Sequence, residues 1–191
     1  MKFQLLVFCL AFVFIRISYA ETPNEPAKRR TARIAGTYSY GFTVEEHHDP
    51  TISPITGGSQ ELGPSGSLYI YPETDSTVLF YFDISSGFPS YNVGTLYGRL
   101  LIKNNKGIYN YKLPGETGFC KLSFDFTKKH IVVKTVEGMT ACSFGPNIIA
   151  DNRYFRYNGA IPESVKSGNE TIVFSTMSPE NYNQSKKTTI P

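Results

Sequence analysis

The strongest constraint in this chain is a hydrophobic period of two. From Gly36 onward, Tyr38, Tyr40, Phe42 and Val44 alternate with Thr37, Ser39, Gly41 and Thr43, which gives a strand with one apolar face. Val78, Phe80, Phe82 and Ile84 alternate in the same way with Leu79, Tyr81 and Asp83, and Leu68 and Ile70 stand opposite Tyr69 and Tyr71. No stretch keeps a 3.6-residue apolar period between caps, so little helix is expected. Seven or eight short strands separated by turn signals imply an all-β domain, a single antiparallel β-barrel or a sandwich. The barrel is preferred, because an antiparallel sheet of this size must dispose of its exposed edges.

Two hairpins can be registered. Leu96, Gly98, Leu100 and Ile102 share a face and run into the turn cluster Asn104-Asn105-Lys106-Gly107, where glycine can take positive φ. That turn pairs Ile102 with Tyr109 and Leu100 with Tyr111. In the second hairpin, Leu122, Phe124 and Phe126 alternate with Lys121, Ser123 and Asp125. Pairing Phe126 with Ile131 and Phe124 with Val133 keeps the apolar faces together, whereas a one-residue slip turns Lys134 toward the core. In this register Cys120 lies opposite Glu137. A last strand is expected around Arg153 to Tyr157, after the turn-like Ala150-Asp151-Asn152.

The ends of the chain read differently. Met1-Lys2, an apolar run from Leu5 to Ile15, and small residues Ser18 and Ala20 before a cut form a secretory signal peptide over residues 1–20. The run is too short to span a bilayer, and no later segment approaches the 18 apolar residues a span would need. Residues 21–34, with Pro23, Pro26 and the basic run Lys28-Arg29-Arg30, read as an unstructured mature N-terminus. The barrel domain occupies 35–158. Residues 159–191 form a polar, mobile C-terminal segment, with one added strand around Thr171 to Ser175.

Cys9 leaves with the leader, and in an exported chain the two remaining cysteines point to a Cys120–Cys142 disulfide. The loop it closes is about 23 residues, for which chain entropy gives roughly 3 kcal/mol. Removing Lys2 and Arg16 with the leader leaves 17 basic against 16 acidic groups. Such a balance offers no electrostatic attraction for nucleic acid or an anionic membrane, and neither is expected as a partner.

Chemistry-bearing motifs are sparse. Glu45-Glu46-His47-His48-Asp49 is the densest ionisable cluster, but neighbours in an extended segment point to opposite sides, so few of the five can converge on a metal. It reads as part of a solvated connection, Glu45 to Gly66, long enough to be a working loop. His130 reads as an exposed turn residue beside Lys128 and Lys129. A nucleophilic hydrolase would need an organised Ser or Cys, yet Gly63-Pro64-Ser65-Gly66 is not a nucleophile elbow, and the cysteines serve better as a disulfide. Asp83 and Asp125 stand on outward strand faces. No catalytic residue, metal or cofactor is expected, and the protein is read as not an enzyme. Asn169-Glu170-Thr171 and Asn183-Gln184-Ser185 match glycosylation acceptors, which matter only in a eukaryotic secretory pathway.

A resemblance adds to this. Cys120-Lys121-Leu122-Ser123-Phe124-Asp125-Phe126, then Cys142-Ser143-Phe144-Gly145, then Ala150-Asp151-Asn152-Arg153-Tyr154 resemble the C-terminal part of small exported bacterial β-barrel proteins of the lysozyme-inhibitor-like kind. The match covers about 40 residues, with Asn152 where those proteins usually carry glycine, a position asparagine tolerates. Ser65-Gly66-Ser67-Leu68-Tyr69 is similar to the S-G-x-x-Y loop of periplasmic C-type lysozyme inhibitors, and Lys106-Gly107 to their K-G motif. The spacing and cysteine positions depart from that family. The resemblance implies Ser65, Tyr69 and Lys106 as partner-binding residues. The function expected is therefore an exported, non-catalytic binding protein acting on an unknown protein partner through surface loops, with inhibition of a wall-degrading enzyme as one form. The alternatives are a barrel holding a small apolar ligand among its aromatics, and an envelope structural or adhesion protein without a pocket.

Overall fold

The computed structural model describes residues 29–41, 63–112, 117–138, 140–142 and 144–188. Eight strands run antiparallel in chain order: β1 (Gly36–Tyr40), β2 (Ser65–Pro72), β3 (Thr77–Ser85), β4 (Val93–Lys103), β5 (Lys106–Tyr111), β6 (Cys120–Phe126), β7 (His130–Glu137) and β8 (Asn152–Asn158). Each pairs with the next, and β8 returns to pair with β1, so the sheet closes into a barrel. Closure is the chain's answer to the edge problem and decides between barrel and sandwich.

The interior is filled by the period-two residues. Phe80 sits among Phe82, Tyr109 and Phe124, with ring centroids 5.5, 5.1 and 5.1 Å away. Phe82 also meets Tyr154 at 5.5 Å and Phe144 at 6.1 Å. Room for these rings comes from Gly98, where an added Cβ would lie 2.5 Å from the Phe80 ring and 2.7 Å from Tyr109.

The β6–β7 register is the expected one, with Phe126 opposite Ile131 and Phe124 opposite Val133. A bulge between Lys121 and Leu122 then sets Lys121, rather than Cys120, against Glu137. The β4–β5 hairpin differs from expectation. Ile102 pairs with Gly107 and Lys103 with Lys106, so the turn is the two-residue Asn104-Asn105, at φ 52° and 59°. Two successive left-handed residues match the twist of a tight hairpin, and asparagine supplies them without glycine. Gly107 instead lies against Leu100 and Ile102.

Both tails depart from the sequence reading. The end of the segment read as unstructured carries a helical turn, α1 (Arg29–Ala32), with Thr31 fully buried and bonded through its hydroxyl to the Thr74 carbonyl. Ile34 enters the barrel core and its carbonyl accepts the Tyr38 hydroxyl at 2.9 Å. The C-terminal segment read as mobile is a packed element, in which the one strand expected around Thr171 to Ser175 is present at Glu170–Val173. It forms the hairpin β9 (Ser164–Ser167) and β10 (Glu170–Val173), followed by the helix α2 (Pro179–Thr188).

These elements bury Val165, Ile172, Phe174 and Tyr182 against the outer faces of β3 and β4, over Leu79, Tyr81 and Tyr97. Arg99 fastens the helix by holding Glu180 at 2.5 Å and Glu73 at 2.7 Å. Outside the run Ile172-Val173-Phe174 the segment is largely polar, with Val165 alone in β9 and Tyr182 the one aromatic of α2, too few apolar residues to show a period.

Two outcomes test this second core. Phe174, 2% exposed and stacked on Tyr71 at 5.5 Å, should cost about 3 kcal/mol when changed to Ala, measured by urea unfolding; a change under 1 kcal/mol would show the segment adds little. Burial pushes the Tyr81 phenol up to about 12, while an unfolded tyrosine ionises near about 10. Between these values the unfolded state has lost a proton that the folded state keeps, so stability is present below about pH 10 and falls as pH rises toward 12. The urea midpoint should drop between about pH 9.5 and 11.5, and less steeply in Tyr81→Phe.

Candidate binding surface

The two ends of the barrel are unlike. At one end the strands are joined by residues 73–76, 104–105 and 127–129, short polar turns. At the other they are joined by residues 41–64, 86–92, 112–119 and 138–151. Long connections on a rigid scaffold are where binding residues concentrate. Six of the large apolar side chains exposed among the described residues belong to this second, loop end: Phe88, Tyr91, Val93, Phe119, Val136 and Ile149.

The β3–β4 connection is held in shape rather than left to flex. Ser86 donates its N–H to the Asn92 carbonyl at 2.9 Å, Tyr91 donates to Gly87 at 2.8 Å, and the Ser86 and Ser90 hydroxyls meet at 2.9 Å. Asn92 Nδ2 donates to the Pro146 carbonyl at 2.9 Å, tying this connection to the one after β7. Phe88 and Tyr91 face outward with ring centroids 6.4 Å apart. Tyr91 sits at φ 47°, a region that a bulky residue enters only when its surroundings impose it.

The disulfide organises the neighbouring connection. Cys120 at the start of β6 is bonded to Cys142, with Cα atoms 4.6 Å apart, in a 3₁₀ turn (Thr140–Cys142). Thus pinned, the chain sends Phe144, Ile148 and Ala150 into the barrel end, where Phe144 and Ile148 cover Gly94. Asp151 then accepts hydrogen bonds from the Thr135 N–H at 2.6 Å and hydroxyl at 2.5 Å, fixing the entry into β8.

The site residues read from sequence are spread apart. Ser65 opens β2 on the loop end, opposite Ser85. Tyr69 lies on the outer face of β2, half-buried beside Tyr81 at 6.3 Å and packed against the C-terminal cluster. Lys106 stands at the other, short-turn end, paired with Asp125 at 3.0 Å. Ser65 and Lys106 are thus at opposite ends of the barrel and share no surface. Glu45 to Asp49, and with them His47 and His48, lie outside the described residues. Among the described residues no group of three or more His, Cys, Asp and Glu side chains is placed to hold a metal ion. His130 lies at the β6–β7 turn, its ring 6.0 Å from Phe155. Of the two sequons, Asn169 is in the exposed turn of the β9–β10 hairpin, while Asn183 donates Nδ2 to the Tyr97 carbonyl at 3.4 Å.

The apolar rim residues are scattered in the sequence, Phe88, Tyr91 and Val93 around the β3–β4 connection, Phe119 before β6, and Val136 and Ile149 on either side of the disulfide turn; only the topology brings them to one end. If the disulfide holds the β7–β8 connection as described, reduction should lower stability by roughly 3 kcal/mol. It should also raise hydrogen exchange first at residues 140–150, before the barrel strands. Uniform exchange on reduction would show that the bond supports the whole barrel rather than this connection.

Comparison of the chain with protein-family models, with curated proteins and with solved structures finds no match.

Proposed function

We propose that this is an exported, non-catalytic binding protein that engages a protein partner through the connections at the loop end of the barrel. The observation that carries this reading is the gathering of Phe88, Tyr91, Val93, Phe119, Val136 and Ile149 at that end. Exposed aromatic and aliphatic side chains on a shaped loop are the kind of group that anchors a protein interface. A buried disulfide suits an oxidising compartment outside the cytoplasm. The ring-filled interior weighs against the alternative of an apolar ligand held inside, since an eight-stranded barrel is just wide enough for its own side chains.

Inhibition of a wall-degrading enzyme is the specific form suggested by the sequence motifs. On this geometry it draws on Ser65, which belongs to the loop end, and not on Lys106. The test is a pull-down from envelope extract with the oxidised protein, beside the variant Phe88→Ser/Tyr91→Ser/Phe119→Ser. The variant should keep its thermal midpoint and lose at least tenfold in partner recovery, about 1.4 kcal/mol. Undiminished recovery would move the function away from this end. If the captured partner hydrolyses cell wall, Ser65→Ala should weaken its inhibition while Lys106→Ala leaves it unchanged.

A further inference from the structure

The barrel wall is interrupted between β4 and β5. Their recorded pairs are Ile102–Gly107 and Lys103–Lys106, although β4 runs back to Val93 and β5 on to Tyr111. On their other sides both strands are paired along their length, β4 to β3 and β5 to β6. In an antiparallel strand alternate residues turn their N–H and C=O groups to opposite sides. Ile102 donates its N–H toward Ser76 on the β3 side, so Leu101, Arg99 and Tyr97 turn their backbone groups to the open side. At Tyr97 a side chain stands in for the missing strand, Asn183 of α2 donating to the carbonyl. Beside Arg99 and Leu101 no β5 partner is paired.

A cleft of about 320 Å³ occupies this gap beneath the start of α2. Leu101 and Ile108 form its lips, 64% and 53% exposed. Tyr109 lines it from inside, only 4% exposed; its hydroxyl is buried and has no hydrogen-bond partner among the described residues. Burial, and secondarily Tyr111 and Glu180 in the cleft wall, push the phenol well above its usual range. It is therefore a neutral donor at ordinary pH. The guanidinium of Arg99 is taken up by Glu73 and Glu180, so the cleft offers a ligand backbone edges and apolar lips, and the buried Tyr109 hydroxyl is reached only by a group that displaces its cover.

We propose that this seam is a second binding site, independent of the loop end, taking an extended peptide of a partner protein as an added strand on β4. The peptide pairs with the main chain of Arg99 and Leu101, lowers an uncharged apolar side chain between Leu101 and Ile108, and gives the Tyr109 hydroxyl an acceptor. Main-chain pairing on an open edge with a pocket for alternate side chains is how strand addition achieves affinity and specificity together. The volume agrees: it is at the low end of ligand pockets, roughly 300–1,000 Å³, room for a side chain or two.

The probe is a phage-displayed library of random linear heptapeptides panned on the intact, disulfide-bonded protein. Binding of the selected peptides is titrated and followed by backbone amide exchange. Apolar residues at alternate positions are expected, with the Arg99 and Leu101 amides slowing at least tenfold. Tyr109→Phe, which keeps the ring, should weaken the peptides about tenfold without lowering the thermal midpoint. Leu101→Pro, which removes an edge donor, should abolish binding; should it not fold, the exchange data and Tyr109→Phe carry the test. The proposal is overturned if no peptide is selected, or if binding is indifferent to Tyr109→Phe. It is equally overturned if protection appears at other amides, or if a Tyr109-dependent ligand leaves the edge amides unchanged, since that would be a small-group pocket.

Discussion

An eight-stranded barrel must be filled by its own side chains, and the manner of filling decides how its wall closes. Here the filling is aromatic, centred on Phe80 with Phe82, Phe124 and Tyr109 about it. Rings are large and rigid, so the strands must yield space somewhere, and they do so at Gly98, which has no side chain to turn inward. The same stretch of β4 is where pairing with β5 stops. The most crowded part of the interior thus adjoins the least paired part of the wall.

The outer surface follows from this. β3 and β4 are apolar on both faces, carrying Leu79, Tyr81 and Tyr97 outward. A strand buried on one side only would expose these, so a second layer is required, and β9, β10 and α2 supply it. Tyr97 joins the two layers: its hydroxyl donates to the Met177 carbonyl at 2.6 Å, and its own carbonyl accepts from Asn183. The helix is anchored by backbone acceptors and by Arg99 as much as by apolar area, which is why a helix of such polar composition can dock at all.

What the sequence disclosed and what it withheld divide along physical lines. Alternation is a local signal, and it located the barrel strands, the inward residues and the β6–β7 register. The disulfide followed from the expected removal of Cys9 with a leader, which leaves two cysteines. The β4–β5 turn sits ahead of the expected one because Asn104 and Asn105, and not Gly107, supply the positive φ. Outward Leu79 and Tyr81 were visible signs of a second layer, but of their partners only Ile172 and Phe174 alternate, over a single short strand, while Val165 stands alone in polar sequence. The loop-end apolar residues and the seam are properties of topology. Phe88 and Phe119 lie 31 positions apart in sequence and reach the same end only once the strands are ordered around the barrel.

The Asn183 contact bears on how the protein can be made. In a eukaryotic host the sequon Asn183-Gln184-Ser185 would be offered to the oligosaccharide transferase while the chain is still being threaded, before α2 has docked. The atom that would receive the sugar is the same Nδ2 that later caps β4 at Tyr97. A chain modified there would carry a bulky glycan where the helix must meet the barrel, leaving the apolar faces of β3 and β4 uncovered. A sugar at Asn169, in its exposed turn, would meet no such conflict. Glycan occupancy at the two positions would therefore report which event came first, modification or docking, and material from a host without the transferase escapes the competition altogether.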